Sequence, residues 1–206
     1  MAKNKPVYRF FKRIFDVVMS IIALVLLSPV YLIIAIIIKC DSRGPVFYKH
    51  HRIGKNGKTF GMYKFRSMIP DADKKLDELP DELKKEFEEN YKITDDPRIT
   101  KVGKFLRKTS LDELPQFLNV IKGDISLVGP RPIVETELEK YGENKDKFLS
   151  VIPGITGYWQ ANGRSDVTYE KRMELELYYV DNASFWLDIV ILFKTVFAVF
   201  KRDGAK

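Results

Sequence analysis

Residues 17–38 form an uncharged, strongly apolar run that reads VVMSIIALVLLSPVYLIIAIII. As an α-helix, the run would extend about 33 Å, and the hydrocarbon core of a bilayer is about 30 Å thick. A cleaved signal peptide is disfavoured, because the run is too long and no small-x-small cleavage pattern follows it. The run therefore predicts a helix that enters a membrane.

Basic residues flank this run on both sides, so both of its ends prefer the cytoplasmic face. They are Lys3, Lys5, Arg9, Lys12 and Arg13 before it, and Lys39, Arg43, Lys49, Arg52, Lys55 and Lys58 after it. Near its middle stand Ser28 and Pro29; proline removes a helical hydrogen bond, and the serine hydroxyl can bond to the freed carbonyl. The residues alone leave two geometries open, a kinked spanning helix and a bent helix that re-enters on the same side.

The composition of the 206 residues fits one domain with a core beside this membrane element. A single cysteine, Cys40, excludes an intrachain disulfide. The two histidines, His50 and His51, supply a zinc site or a histidine-based triad poorly, so acid–base or nucleophilic chemistry must use carboxylates. The formal charge of +7 indicates an anionic partner, which could be nucleic acid, an acidic membrane surface or a phosphorylated substrate.

The remaining sequence predicts a mainly helical α+β protein. Residues 45–68 contain two stretches rich in β-forming residues on either side of an Asn-Gly turn at Asn56, which predict a basic β-hairpin. The other patterns indicate two short helices hinged at Pro80 (71–90), a single helical region (104–122), an irregular loop (152–164), and helices over 135–141, 169–180 and 185–200.

The last of these helices is apolar around most of its circumference. Its polar residues are spaced by seven, at Asp181, Asp188, Thr195 and Arg202. A helix of this kind is either buried or lies in a membrane interface. The aromatic and basic residues at its end favour the interface.

Residues 107–116, RKTSLDELPQ, contain the best candidates for chemistry. A structural interpretation is available, since Ser110 and Glu113 match a helix capping box. In the functional interpretation, Asp112 and Glu113 lie at a helix start beside Arg107, keep low pKa values and stay ionised. The pair could hold Mg²⁺ together with phosphate oxygens, or one carboxylate could attack phosphorus.

Three further arginines fit a phosphorylated substrate. Arg131 stands between two prolines, which restrict its backbone before any ligand binds. Arg164 follows Gly163 in the irregular loop, and Arg66 ends the basic hairpin. Taken singly, each of these arginines is better explained as a surface charge than as a ligand.

Several motifs in a fixed order resemble the monotopic phosphoglycosyl transferases, the bacterial sugar transferase family that begins glycan assembly on polyprenyl phosphate. The resemblance covers nearly the whole chain. The motifs are KRIFD (12–16), SP (28–29), YKFRSM (63–68), SLDELPQ (110–116), KGDISLVGPRP (122–132), PGITG (153–157), NGR (162–164) and YYVDN (178–182).

The resemblance implies a covalent two-step reaction. The aspartate of the acid pair, Asp112, would attack the β-phosphate of a UDP-sugar and release UMP, and polyprenyl phosphate would then accept the phospho-sugar. Mg²⁺ is implied, held by Asp112 and Glu113, and Glu113 would assist through the metal or as a base. The family arginines fall on Arg107, Arg131 and Arg164.

The resemblance also implies an architecture. Residues 1–40 would form a re-entrant membrane helix broken at Ser28 and Pro29, and residues 41–206 a catalytic domain with amphipathic interfacial helices. The domain would lie on the cytoplasmic face of the bacterial inner membrane. The chain is expected to be of the short kind, a catalytic core without the additional N-terminal spanning domain of larger relatives. The transferred sugar, the glycan pathway and a homodimeric state stay open.

Two other functions compete with a transferase. A non-enzymatic basic scaffold on the membrane surface would explain the charge and both amphipathic ends, but not the acid pair beside restrained arginines. Nucleic-acid binding would explain the charge alone, and no nucleic-acid motif is present. Release of UMP from UDP-sugars separates the transferase from both.

Overall fold

A long N-terminal helix, α1, begins the computed structural model, which describes residues 5–90, 93–162 and 167–200. The helix covers Pro6–Asp41 and continues through Ser28 and Pro29. Pro29 leaves the carbonyl of Val25 without its usual donor, and the hydroxyl of Ser28 donates to that carbonyl at 2.8 Å. The hydrogen bond from Ser28 was therefore predicted correctly from the sequence. The predicted break was not found, because the helix is continuous across Ser28 and Pro29. Within the described residues, α1 is the one helix long and apolar enough to cross a membrane.

The predicted hairpin is confirmed. Strands β1 (Phe47–Ile53) and β2 (Thr59–Phe65) pair antiparallel. The turn between them places Asn56 and Gly57 at φ of 57° and 75°, the left-handed values that an Asn-Gly turn requires.

A second, parallel pair of strands was not predicted. Strands β3 (Ser126–Val128) and β4 (Gly154–Thr156) have three residues each, too short to show alternation in the sequence. Residues 152–164 are therefore not wholly irregular, since β4 and a short helix lie within them. The remaining helices are α2 (Asp81–Asn90), α3 (Lys101–Lys108), α4 (Gln116–Lys122), α5 (Glu135–Leu138), α6 (Lys145–Leu149), α7 (Tyr158–Asn162), α8 (Tyr169–Asn182) and α9 (Phe185–Phe200).

The predicted single helix over 104–122 is wrong, because two helices flank a turn there. After α3 the backbone of Ser110 adopts a left-handed conformation, with φ of 56°, which an α-helix cannot continue. A 3₁₀ turn, Leu111–Glu113, follows, and α4 starts after Pro115. This turn carries Asp112 and Glu113.

Both arms of α1 contact the rest of the protein, whereas its middle does not. In the first arm, Arg13 donates to two carbonyls at the end of α4 at 2.5 and 2.7 Å. In the second arm, Tyr31 donates to the carbonyl of Leu114 at 2.5 Å. Between the arms, Val25 and Leu26 are 66% and 72% exposed. Leu114 directly follows Glu113, so the second arm reaches the turn that carries the acid pair.

The second arm also belongs to a hydrophobic core around this turn. Ile34 and Ile38 are buried against Phe65 of β2 and Leu106 of α3. A separate core joins α4, β3, α8 and α9 around residues such as Ile191. The turn is therefore held between rigid elements.

Helix α9 turns its polar residues inward. Asp188 accepts from Lys12 at 2.8 Å, and Thr195 bonds to Thr156 of β4 at 2.7 Å. The outward side is apolar: Trp186 is 77% and Phe197 66% exposed. An apolar outer face of this kind fits the expected membrane interface. Arg202, the last member of the predicted polar stripe, lies outside the described residues.

Candidate active site

Two adjacent carboxylates and one lysine form the centre of the site. Asp112 is 6% exposed, and Glu113 is more accessible. Lys64 of β2 donates to Oε1 of Glu113 at 2.8 Å, and its Nζ lies 3.8 Å from Oδ2 of Asp112. The lysine therefore provides the positive charge shared by both carboxylates.

The structure rejects the capping-box interpretation. The side chain of Ser110 makes no capping hydrogen bond, and the carboxylate of Glu113 bonds to Lys64 instead of turning back to the helix start. A left-handed Ser110 precedes a 3₁₀ turn here, which is not the geometry of a capping box. The acid pair is thus not explained as a helix cap.

The two carboxylates have opposite pKa shifts. Burial raises the pKa of Asp112 above its ordinary value, and Lys64 opposes this without overcoming it. The expectation that both acids have low pKa values is therefore wrong for Asp112. For Glu113, burial again favours the neutral form, but the charges of Lys64 and Arg131 outweigh it and lower the pKa. Environments that separate the pKa values of neighbouring acids are typical of carboxylates with different roles.

Two of the predicted arginines lie around the acid pair. Nε of Arg107 donates to Oγ of Ser67 at 2.9 Å, and the guanidinium charge of Arg107 favours ionised Asp112. On the other side, Arg131 favours ionised Glu113, and its backbone N–H donates to Glu176 at 3.3 Å. The two arginines thus act electrostatically on different members of the pair. Arg164 lies outside the described residues.

Arg66 lies elsewhere. Its side chain is buried, and its guanidinium donates to the carbonyls of Ile38, Ser42 and Arg43 at 3.3, 2.7 and 3.0 Å. These carbonyls belong to the end of α1, where a cation is favourable. The guanidinium therefore fixes α1 to the hairpin, and its contact with substrate phosphate stays a prediction.

Three basic residues of the site, Lys64, Arg52 and Arg172, were not predicted from the sequence. Lys64 and Arg66 belong to the same motif and are separated by two positions, so alternation alone could not choose between them. Arg52 of β1 and Arg172 of α8 both pair with Glu137, at 3.4 Å each. These ion pairs join three distant parts of the chain, so no local sequence pattern predicts them. The density of basic residues in the hairpin was the one hint.

The acid pair also provides the candidate metal ligands. Across residues 5–90, 93–162 and 167–200, no group of three or more His, Cys, Asp or Glu side chains could enclose a metal ion. Mg²⁺, however, is commonly held by one or two carboxylates, with substrate phosphates and water completing its shell. Asp112 and Glu113 therefore fit an ion that arrives with a phosphorylated substrate.

The fold and site together define a protein with a helix long and apolar enough to cross a membrane, and with an acid pair among cationic side chains suited to a phosphorylated ligand. The chain belongs to the bacterial sugar transferase family, whose pattern it matches over residues 7–202. This match confirms the family that the motifs predicted.

Curated relatives agree with this family. Over 200 residues, the chain is 50% identical to the undecaprenyl-phosphate galactose phosphotransferase of Salmonella typhimurium, covering 96% of this chain and 42% of the relative. It is 47% identical over 204 residues to the exopolysaccharide production protein ExoY of Sinorhizobium fredii, covering 98% and 90% of the two chains. The UDP-N-acetylgalactosamine-undecaprenyl-phosphate N-acetylgalactosaminephosphotransferase of Aeromonas hydrophila is 37% identical over 207 residues, with 98% and 46% coverage. The chain thus spans less than half the length of two of these relatives.

Proposed function

We propose that the chain transfers a phospho-sugar from a UDP-sugar to a polyprenyl phosphate at the bacterial inner membrane. The observation that carries this proposal is the position of buried Asp112. Its turn contacts the membrane helix through Tyr31 and Leu114, and its carboxylate lies among Lys64, Glu113 and Arg107. One residue therefore lies beside the cations that would bind an anionic donor and beside the helix that would meet a lipid acceptor.

The reaction would proceed through a covalent intermediate. A carboxylate oxygen of Asp112 attacks the β-phosphorus of the donor, and the bond from that phosphorus to the bridging oxygen breaks. UMP leaves with the electron pair, and the sugar phosphate remains on Asp112. A phosphate oxygen of the polyprenyl phosphate then attacks the same phosphorus and restores the free carboxylate.

The surrounding residues would prepare these steps. Lys64 favours the ionised form of Asp112, and the arginines offset the charge of the diphosphate. Asp112 and Glu113 would hold Mg²⁺, which supplies further neutralisation of the diphosphate when bound. Glu113 would act as a ligand of the ion or as a base.

A re-entrant path for α1 agrees with its contacts. Arg13 and Tyr31 would lie about 27 Å apart along a straight helix. They nevertheless bond to carbonyls of one short segment, residues 114–121, and the helix between them is exposed. A bend within the continuous helix α1 would bring both arms to the same domain and keep both basic flanks on the cytoplasmic face.

A panel of UDP-sugars tests the function. UDP-galactose and UDP-N-acetylgalactosamine belong in it because the relatives carry these sugars in their names. With a polyprenyl phosphate and Mg²⁺ present, we expect UMP release with at least one donor, and a polyprenyl diphosphate sugar as the second product. A basic membrane scaffold would bind the vesicles and release no UMP from any donor.

Cysteine labelling tests the topology. Because Cys40 is exposed, it is first replaced by serine. Single cysteines at Lys5 and Lys58, on opposite sides of α1, are then expected to react with a membrane-impermeant maleimide only when the cytoplasmic face is accessible. Labelling of the Lys5 position from the outside would establish a spanning helix instead. The Lys58 site serves as the cytoplasmic reference in the same membranes.

A further inference from the structure

Three buried N–H groups near Arg131 have no hydrogen-bond partner within the described part of the chain. They belong to Nε of Arg52, Nη2 of Arg172 and Nε1 of Trp159. Leaving such groups unpaired costs stability, and buried polar atoms in folded proteins are nearly always satisfied. Three in one place therefore indicate a ligand.

Shared contacts show that these atoms belong to one cluster. The two oxygens of Glu137 pair with Arg52 and Arg172 at 3.4 Å each. The guanidinium of Arg172 lies 4.9 Å from the centre of the Trp159 ring, and that of Arg131 lies 6.0 Å from it. We call Arg52, Arg131, Trp159 and Arg172 the arginine–tryptophan cluster.

The cluster adjoins the acid pair without being part of it. Arg131 connects the two, since its charge acts on Glu113 and its guanidinium lies beside Trp159. Arg172 is tied to the same loop, because Glu176 accepts from Nε of Arg172 and from the backbone N–H of Arg131. A donor whose β-phosphate meets Asp112 would therefore place one of its two ends in the cluster.

The unpaired atoms specify the chemistry of that end. Three N–H groups require acceptors, which the two carbonyls of a pyrimidine-dione ring, ribose hydroxyls and phosphate oxygens all provide. Three guanidinium groups also favour the part of the donor that gains negative charge in the reaction. Each phosphate of the donor carries about −1, whereas the departing nucleoside monophosphate ends in a phosphate monoester that carries about −1.5 to −2 at neutral pH.

We propose that the arginine–tryptophan cluster binds the nucleoside monophosphate end of the donor, the part that departs as UMP. This inference rests on the proposed function and names the position of its leaving group. Arg52, Trp159 and Arg172 are then binding residues beyond those recognised in the sequence.

Binding of UMP alone to the full-length protein in detergent tests the proposal without any chemistry. The chain has two tryptophans, and the other, Trp186, lies exposed on α9. In a Trp186→Phe background, UMP should change the fluorescence of Trp159. Arg52→Lys and Arg172→Lys should each weaken UMP binding by about tenfold or more, because lysine keeps the charge but cannot supply the unpaired guanidinium N–H. Arg43→Lys, at an exposed position away from the cluster, should bind UMP like the parent.

Calorimetric titration extends the test to Trp159→Phe, which removes one N–H and little volume, and circular dichroism checks that every variant is folded. Unchanged UMP affinity in Arg52→Lys and Trp159→Phe would overturn the inference. An increased KM for the UDP-sugar with unchanged UMP affinity would overturn it too, and would assign the cluster to the sugar end. Parent protein that neither binds UMP nor turns over any UDP-sugar would instead contradict the proposed function.

Discussion

Asp112→Asn is expected to abolish the covalent adduct and UMP release together. An amide has no anionic oxygen to attack phosphorus, and the loss should reach about 10⁴-fold or more, as for other catalytic nucleophiles. Parent enzyme mixed with a UDP-sugar and Mg²⁺, without lipid, should release at most one UMP per site and gain the mass of one sugar phosphate. Intact-protein mass spectrometry of both proteins measures the difference directly.

Glu113→Gln is the matched control for this substitution. It alters the neighbouring carboxylate by the same chemical change, yet it should slow turnover while still allowing the adduct to form. A sugar phosphate trapped on Asp112→Asn protein would assign the nucleophile to another residue. A reaction without any lipid-independent UMP release would indicate direct transfer within a ternary complex.

The parts of the fold that the sequence predicted are those with long, periodic signals. The uncharged run gave α1, and residues 45–68 gave the hairpin, because a turn of Asn56 and Gly57 has specific residue requirements. Strands β3 and β4 were not predicted because three residues are too few to show a periodic pattern. The division of 104–122 escaped because it depends on the left-handed backbone of Ser110, a conformation that serine rarely adopts.

The features of the site also divide into those that the sequence predicted and those that it did not. Its acid pair was evident because adjacent carboxylates stand out among basic neighbours. The ordering of their pKa values was not, since burial of Asp112 depends on elements brought together only by folding. Lys64 and Arg66 belong to one sequence motif, which does not tell their roles apart. In the structure, Arg66 binds the end of α1, whereas Lys64 binds the acid pair. Sequence motifs thus indicate which residues lie near the site, and tertiary contacts determine what each of these residues does there.

Lys64→Met should move the pH dependence of UMP release. Asp112 must be ionised to attack, and burial already raises its pKa; Lys64 is the largest of the charges that oppose this effect. Removing that charge raises the pKa further, so at any fixed pH below it a smaller fraction of Asp112 is ionised. The rising, acidic limb of the profile should therefore shift to higher pH, with about tenfold less activity on that limb for each unit by which the pKa rises, and recovery on the alkaline side.

Measurement of single-turnover UMP release between pH 5 and 9 would show this shift, and Lys64→Arg, which keeps the charge, should stay close to the parent profile. His50 also adjoins this region, but burial and the charges of Arg52 and Lys64 lower its pKa to about 4, so its titration falls below the measured range. Glu113, with its lowered pKa, is ionised across the same range in the parent. The acidic limb therefore reports on Asp112. A Lys64→Met profile that is reduced in height but unshifted in pH would show that Lys64 acts on the substrate and not on the ionisation of the nucleophile.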